Sequence, residues 1–390
     1  MSLKVLDLAK GVVSRETRPA HWLDAEGTAF KNPWSSSREF DWKDKLWIAQ
    51  TLLGRTLTAI PADISQRMPV RKPVWDHGEA RKDNIKATWL GHAAFLVEMP
   101  HRAGAERGIR ILFDPALSDY CSPVDIARFK RITPPASTVA DLPDVDAVVI
   151  SHDHYDHLDF KTILALTCRS HMPHFFAPRG NDGTLKSFGI PESHRHTLDW
   201  WESRRLSLDL PSSDDKTVGS SLFVDITCTP AQHNCGRTAM DKVLAPRTLW
   251  GSWVVEDVPD DAGSVGKKAY FSGDTAYRAL LDGKKETDCP SCPAFKEIGE
   301  RFGGFDAAML PIGCYLPHRF MSPLHSSPRD SVQIFQDIRA KRAVAMHWGT
   351  WILSEEPVLE PPEKLKEECA AAGLAEDAFT ACELGETRFF

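Results

Sequence analysis

The segment Ser151-His152-Asp153-His154-Tyr155-Asp156-His157 restricts most severely what this chain can fold into. It follows Asp146 to Ile150, which reads as a buried strand, and precedes Phe160 to Cys168, which reads as a helix. In a near-extended run, side chains two apart point the same way, so His152 and His154 can grip one cation together. Asp156 and His157, where the chain turns into the helix, can reach a second cation beside it. So dense a group would be costly as mere structure, because clustered polar side chains at a strand end need partners. Imidazole and carboxylate suit zinc, and the lack of cysteine in the cluster argues against a thiolate site.

Further candidates recur after other strands: His233 in Thr229-Pro230-Ala231-Gln232-His233, Asp274 in Phe271-Ser272-Gly273-Asp274-Thr275, and His347 after the apolar run Ala343 to Met346. Alone, each has a mundane reading, since a histidine after a strand is often a hydrogen-bonded structural residue and Gly-Asp is a common turn. Their shared position at C-terminal strand ends, where the cluster also sits, makes ligands of them together. The fold must therefore gather distant strand ends at one place.

Short strands are expected at Lys86 to Leu90, Ala94 to Met99 and Ile109 to Phe113, with a polar hairpin loop at Pro100 to Gly108. A second set is expected at Leu222 to Thr227, Thr248 to Val255, Lys268 to Phe271 and Arg342 to Met346, with helices at Ala294 to Phe302 and Ser327 to Arg339. Such strand-rich runs with helices between them suggest two similar halves, sheets stacked inside and helices outside. Residues 1–85 carry little strand signal and read as an N-terminal extension packed on or beside a core of 86–390. Within it Asp41 to Arg55 reads as a helix, whose stripe of Trp42, Leu46, Ala49 and Leu53 fits packing on its own core better than a membrane surface.

Over 390 residues, 42% hydrophobic and 26% charged, the chain has enough apolar surface for a full core. A net charge of -7 argues against a surface built for nucleic acid. Local basic groups occur at Arg128, Lys130 and Arg131 and around Arg71, Lys72, Arg81 and Lys82, and read as solvated charges or an anionic-lipid contact. No stretch approaches the roughly eighteen apolar residues of a membrane span, and no signal core follows the N-terminus. Nine cysteines, an odd number without a framework pattern, suit free thiols in a reducing compartment, the lone pair Cys289 and Cys292 included. An intracellular protein, cytoplasmic or peripherally bound to an internal membrane, is expected.

The order His-x-His-x-Asp-His, isolated His, Gly-Asp-Thr, His is similar to the metallo-β-lactamase superfamily pattern. That resemblance implies an α/β fold, an αββα sandwich of two stacked mixed sheets flanked by helices, with two zinc ions. His152, His154 and His233 would hold one ion, Asp156, His157 and His347 the other, and Asp274 would bridge both. Diiron oxidoreductases of the superfamily carry a carboxylate where this chain has His154, so the pattern leans toward zinc hydrolysis. A narrower match rests on Phe30-x-Asn32-Pro33-Trp34, Thr88-Trp89-Leu90-Gly91-His92-Ala93, Asp199-Trp200-Trp201-Glu202, Leu249-Trp250-Gly251-Ser252-Trp253, Pro311-Ile312-Gly313 and His347-Trp348-Gly349-Thr350. These resemble the N-acylphosphatidylethanolamine-hydrolysing phospholipase D family over residues 20–390. The chain departs from animal members at an insertion around Ala279 to Cys292, a longer Pro100 to Gly108 loop and a shorter N-terminal lead, which puts the exact lipid in question.

What the resemblance implies is hydrolysis of N-acylphosphatidylethanolamine to N-acylethanolamine and phosphatidic acid, with a zinc-bridging hydroxide as nucleophile, peripheral contact with the substrate membrane and a homodimer. Two zinc ions lower the pKa of water from 15.7 to about 7 and offset charge on phosphorus. Asp274 and Asp156 supply the carboxylates of the catalytic centre, and His325 in Ser322-Pro323-Leu324-His325-Ser326 is the candidate partner of the leaving oxygen, with a surface-loop histidine as its plainer reading. His92 reads as a buttress. Tyr315, Leu316, Phe320 and Met321 could line an acyl groove, or pack the base of their loop. Two rivals stand beside this reading: a hydrolase of the same fold acting on a soluble phosphodiester, nucleic acid or lactone, and a non-catalytic metal-binding scaffold.

Overall fold

A computed structural model of the chain describes residues 2–8, 18–44, 46, 50, 58–101, 105–210, 221–237, 245–259, 265–280 and 284–390. In chain order the strands are β1 (Ser2–Asp7), β2 (Lys86–Gly91), β3 (Ala94–Glu98), β4 (Arg110–Phe113), β5 (Ala147–Val149), β6 (His174–Pro178), β7 (Arg195–Leu198) and β8 (Ser203–Asp209). There follow β9 (Ser221–Thr229), β10 (Ser252–Asp257), β11 (Lys268–Phe271), β12 (Ala307–Pro311), β13 (Ala343–Met346), β14 (Phe379–Thr380) and β15 (Thr387–Phe389).

They form two mixed sheets, one ordered β15-β2-β3-β4-β5-β6-β7 and the other β1-β8-β9-β10-β11-β12-β13-β14. Each contains a parallel block, β4 to β7 in the first and β11 to β14 in the second. The core strands β5, β6, β12 and β13 are buried along their whole length, as parallel strands covered on both faces must be. Phe113 of β4 stacks on Phe271 of β11 with ring centroids 4.6 Å apart, which closes the layer between the sheets. Each such fully buried ring contributes roughly 1.5–3 kcal/mol relative to exposure.

Helices cover the outer faces and begin on local signals. Asp159 accepts a hydrogen bond from the Lys161 amide at the start of Phe160–Thr167, which turns Thr162, Ile163 and Leu166 inward. Ser327 accepts from the Asp330 amide ahead of Pro328–Asp337, where proline occupies the first turn. Ala294–Phe302 ends at Gly303 in the left-handed conformation.

The expected strands and helices are present, with ends shifted by a few residues. The strand expected from Thr248 begins only at Ser252, because the Leu249 and Gly251 amides donate to the carbonyls of Arg179 and Ser151 instead of to a ladder. The stretch expected to carry little strand signal contributes β1, which pairs antiparallel with β8 at a sheet edge. Half-exposed edge strands need no apolar run, so β1 leaves little pattern to read. Most of the helix expected at Asp41–Arg55 lies outside the described residues. Trp42 and Leu46, which are described, are 70% and 52% exposed, so packing on the core is not what holds those two. Arg131 departs from the expected surface group as well: it is buried, lies 4.9 Å from the Trp351 ring and donates to the Leu117 carbonyl. All nine cysteines are free, and all but Cys168 are buried. No helix among the described residues is long and apolar enough to cross a membrane.

On the β6–β7 edge, His174 Nδ1 and His196 Nε2 lie 2.9 Å apart. Burial, with neighbouring imidazoles, pushes His174 down to about 4, and burial with Arg204 does the same to His196. The unfolded chain therefore binds protons between about 6.5 and 4 that the folded chain does not, and stability falls as pH drops through that window. After discounting for solvent screening the pair should cost about 2 kcal/mol at pH 4. Urea unfolding of the parent and of His196→Gln across pH 7 to 4 should show a shallower loss in the variant; parallel curves would contradict the assignment.

Candidate metal centre

Seven side chains named from the sequence meet where strand ends of both sheets converge. His152, His154, Asp156 and His157 leave β5 of the first sheet; His233 follows β9, Asp274 follows β11 and His347 follows β13 of the second. The ligand atoms of His152, His154 and His233 lie within 4.8 Å of one another, as do those of Asp156, His157 and His347 together with His92. Between the two groups stands Asp274. Its Oδ2 is 3.2 Å from His157 Nε2, 3.8 Å from His233 Nε2 and 3.9 Å from His152 Nε2, and its Oδ1 is 3.0 Å from His347 Nε2. Oδ2 thus faces members of both groups, and Oδ1 faces His347 of the second.

Local backbone geometry makes this meeting possible. Gly273 has φ 57, and a Cβ there would collide with the Ser151 side chain. Non-glycine residues with positive φ also gather here: Asp114, His92, Cys314 and His347 at 38, 53, 71 and 64. Such conformations persist only where surrounding structure fixes them. The His347 amide donates to the His92 carbonyl at 3.0 Å, and the His92 amide to Thr350 Oγ1 at 2.7 Å.

Around the ligands runs a set of orienting contacts. Asp114 takes the Ser151 amide and hydroxyl and faces His157 Nδ1 at 2.7 Å, which leaves His157 Nε2 aimed inward. His233 Nδ1 donates to the Leu324 carbonyl at 2.7 Å, and His92 Nε2 holds Asp156 Oδ2 at 2.9 Å, the buttress read from the sequence. Asp153 ties the cluster to the Gly236 amide and Thr248 hydroxyl. Sequence reasoning missed Asp114 and Ser151; a carboxylate directly after an apolar strand, in Phe113-Asp114-Pro115, was the available signal.

Electrostatics here resolve into two classes of donor. Burial, reinforced by the surrounding imidazoles, holds His152 well below the ordinary histidine range, and burial brings His233 down to about 3 despite Asp274. Both rings are neutral and keep a lone pair. Burial alone would raise Asp156 and Asp274, but His157 with other imidazoles overrides it and holds both well below the usual carboxylate range. For His157 and His347 burial opposes charge, yet the carboxylates outweigh it, raising His157 well above its usual value and His347 to about 9.

His157 Nε2, His347 Nε2 and Asp274 Oδ1 are buried without a hydrogen-bond partner. His347 Nε2 and Asp274 Oδ1 are close but not aligned to bond each other, so both atoms face shared space. That geometry, with five imidazoles and two carboxylates, fits divalent cations, for which buried orphaned donors are the ligands.

Other candidates take up distinct positions. His325 Nδ1 lies 3.6 Å from Asp274 Oδ2, and the ring centroid is 5.1 Å from that of His233, so it belongs to the site and not to a distant surface loop. Burial, with His233 and His347, outweighs Asp274 and holds it well below its ordinary value. Tyr315 is buried with its hydroxyl on Glu360 Oε1 at 2.6 Å. Together with Leu316 it lines a cavity of about 410 Å³ whose other walls include Glu286, Arg329, Lys364 and Glu368. Phe320 packs 5.6 Å from Phe40, and Met321 is buried.

Comparison with known proteins agrees with the fold. Residues 109–348 match the beta-lactamase superfamily domain family. The chain is 32% identical to N-acyl-phosphatidylethanolamine-hydrolyzing phospholipase D 1 of Caenorhabditis elegans, over 84% of this chain and 82% of that one. It is 29% identical to the mitochondrial N-acyl-phosphatidylethanolamine-hydrolyzing phospholipase D of Saccharomyces cerevisiae, over 87% of this chain and 70% of that one. Among solved structures, an isothiocyanate hydrolase from Delia radicum gut bacteria superposes with a TM-score of 0.52 at 18% identity, covering 78% of this chain and 99% of its own, which speaks for the fold alone. With its two stacked sheets, its strand-end cluster and these relatives, the chain belongs to the N-acylphosphatidylethanolamine-hydrolysing phospholipase D family of the metallo-β-lactamase superfamily.

Proposed function

We propose that this chain is a zinc-dependent phosphodiesterase of phospholipase D type, hydrolysing N-acylphosphatidylethanolamine to N-acylethanolamine and phosphatidic acid. The observation that carries the reading is the position of Asp274 between two histidine-rich groups, one with and one without a further carboxylate. Two relatives named for this hydrolysis support the substrate.

His152, His154 and His233 would hold one zinc ion and Asp156, His157 and His347 the other, with Asp274 shared. Bound there, the pair would supply a nucleophile from water at neutral pH and Lewis-acid stabilisation of charge on phosphorus. The chain's own groups do the rest. Asp114 and His92 fix the orientation of His157 and Asp156, so that Nε2 of the one and the carboxylate of the other are aimed before any ion arrives. In the overall reaction water adds its oxygen to phosphorus, the bond from phosphorus to the ethanolamine oxygen breaks, and that oxygen gains a proton. His325, held neutral, retains one N–H with which to hydrogen-bond the departing oxygen.

Purified zinc-loaded protein given mixed lipid vesicles should yield phosphatidic acid and N-acylethanolamine by mass; free fatty acid or lyso-lipid would identify a different bond. In Asp274→Asn, metal analysis should find both ions lost together with turnover, whereas two tightly held ions and full activity would remove Asp274 from the bridge. Asp114→Asn should weaken metal affinity by about 10–100-fold, read by competition with a chromogenic chelator. His325→Ala should keep its metal content and lose about 100-fold in kcat; an unchanged rate would exclude it from the reaction.

A further inference from the structure

Four large apolar side chains stand in solvent on two neighbouring segments. Val124 and Ile126, 59% and 46% exposed, lie on the loop after β4, and Phe160 and Leu164, 44% and 43% exposed, lie four residues apart on the Phe160–Thr167 helix. Residues so spaced share one face of a helix. This helix already buries Ile163 and Leu166 in the core, so Phe160 and Leu164 form a second apolar face directed outward.

The two segments are fastened together. Lys161 Nζ is 3.3 Å from Asp125 Oδ1, between Val124 and Ile126 in the chain. Upstream in the same loop, the Leu117 and Ser118 amides donate to Thr162 Oγ1 and Asp159 Oδ2 at the head of the helix. The result is an exposed apolar ridge on the segments that also deliver Asp114 and His157 to the metal centre.

Cations fringe this ridge. Arg128 and Lys130 follow Ile126, and Lys161 stands between Phe160 and Leu164. Against them is Asp125, while Asp119 of the same loop acts on the buried Arg131. An excess of positive charge beside exposed apolar groups complements an anionic lipid surface, and it would repel the same patch on a second copy of the chain.

We infer that this ridge is the surface by which the protein docks on an anionic phospholipid bilayer, with Val124, Ile126, Phe160 and Leu164 entering the headgroup layer and Arg128, Lys130 and Lys161 meeting lipid phosphates. The inference deepens the phospholipid reading and rests on it for its purpose, since a lipid substrate must be met in a bilayer. Each cation near an anionic surface strengthens binding by about fivefold.

The test is sedimentation of the full-length, zinc-loaded protein with vesicles of phosphatidylcholine alone or containing phosphatidylglycerol, alongside hydrolysis of N-acylphosphatidylethanolamine dispersed in detergent micelles. The parent should bind the anionic vesicles at least about tenfold more tightly. Val124→Asp with Ile126→Asp should lose about tenfold or more of that binding, and Arg128→Glu with Lys130→Glu should lose the preference for anionic lipid, both keeping metal content, thermal midpoint and micellar hydrolysis. Val124→Ser with Ile126→Ser, a milder change, should fall between. Docking at this ridge is overturned if the parent binds no vesicles or if the double aspartate variant binds like the parent. Binding that is lost in the variants without any micellar hydrolysis by the parent would sustain the docking surface and sink the phospholipid hydrolase reading instead.

Discussion

The structure depends on holding two ionised carboxylates and five imidazoles within a few ångströms of one another, most of them buried and only His154 and Asp156 partly reached by water. Burying charge is costly unless opposite charge and hydrogen bonds accompany it. Here Asp274 and Asp156 are compensated by His157 and His347, and the His157 ring is in turn oriented from outside the cluster by Asp114. A cation entering the group must displace protons from those two rings, so affinity for metal and proton is linked throughout.

Much of what identifies the family in sequence acts on this cluster at one remove. Trp253 donates from its indole to the Ile150 carbonyl, at the end of the strand that launches His152. Trp250 donates to the Ala231 carbonyl just ahead of His233, and Trp200 to the Trp250 carbonyl behind it. Asn32 reaches from the N-terminal region to the His233 carbonyl at 2.8 Å, and His21 and Trp22 both bond the buried Asp199 carboxylate. The Trp-Gly-Ser-Trp and Phe-x-Asn-Pro-Trp motifs thus act as braces for ligand loops, and the indole supplies both apolar bulk and a donor where a loop carbonyl would otherwise be buried unpaired.

How much of this was legible in the sequence followed from what each residue needs. That these side chains would cluster was readable because a histidine-rich run directly after an apolar strand has few other uses; β11 was readable from its short apolar run and the Ala294–Phe302 helix from its helical spacing. The edge strand β1, with alternating half-exposed residues, left no comparable trace. Asp114 was invisible for a different reason: a single carboxylate after a strand is ordinary until the fold places His157 against it. Arg131 misled, since its chain neighbours are solvated while it turns inward onto Trp351, a contact of long sequence separation that no local pattern encodes.

The clustered side chains come from both sheets, four from one and three from the other, and the Trp253 indole crosses between them as well. Neither half of the sandwich contains a complete set. Any slippage of one layer over the other by even a residue's rise would pull the groups apart, so the centre acts as a gauge of how faithfully the two layers are assembled.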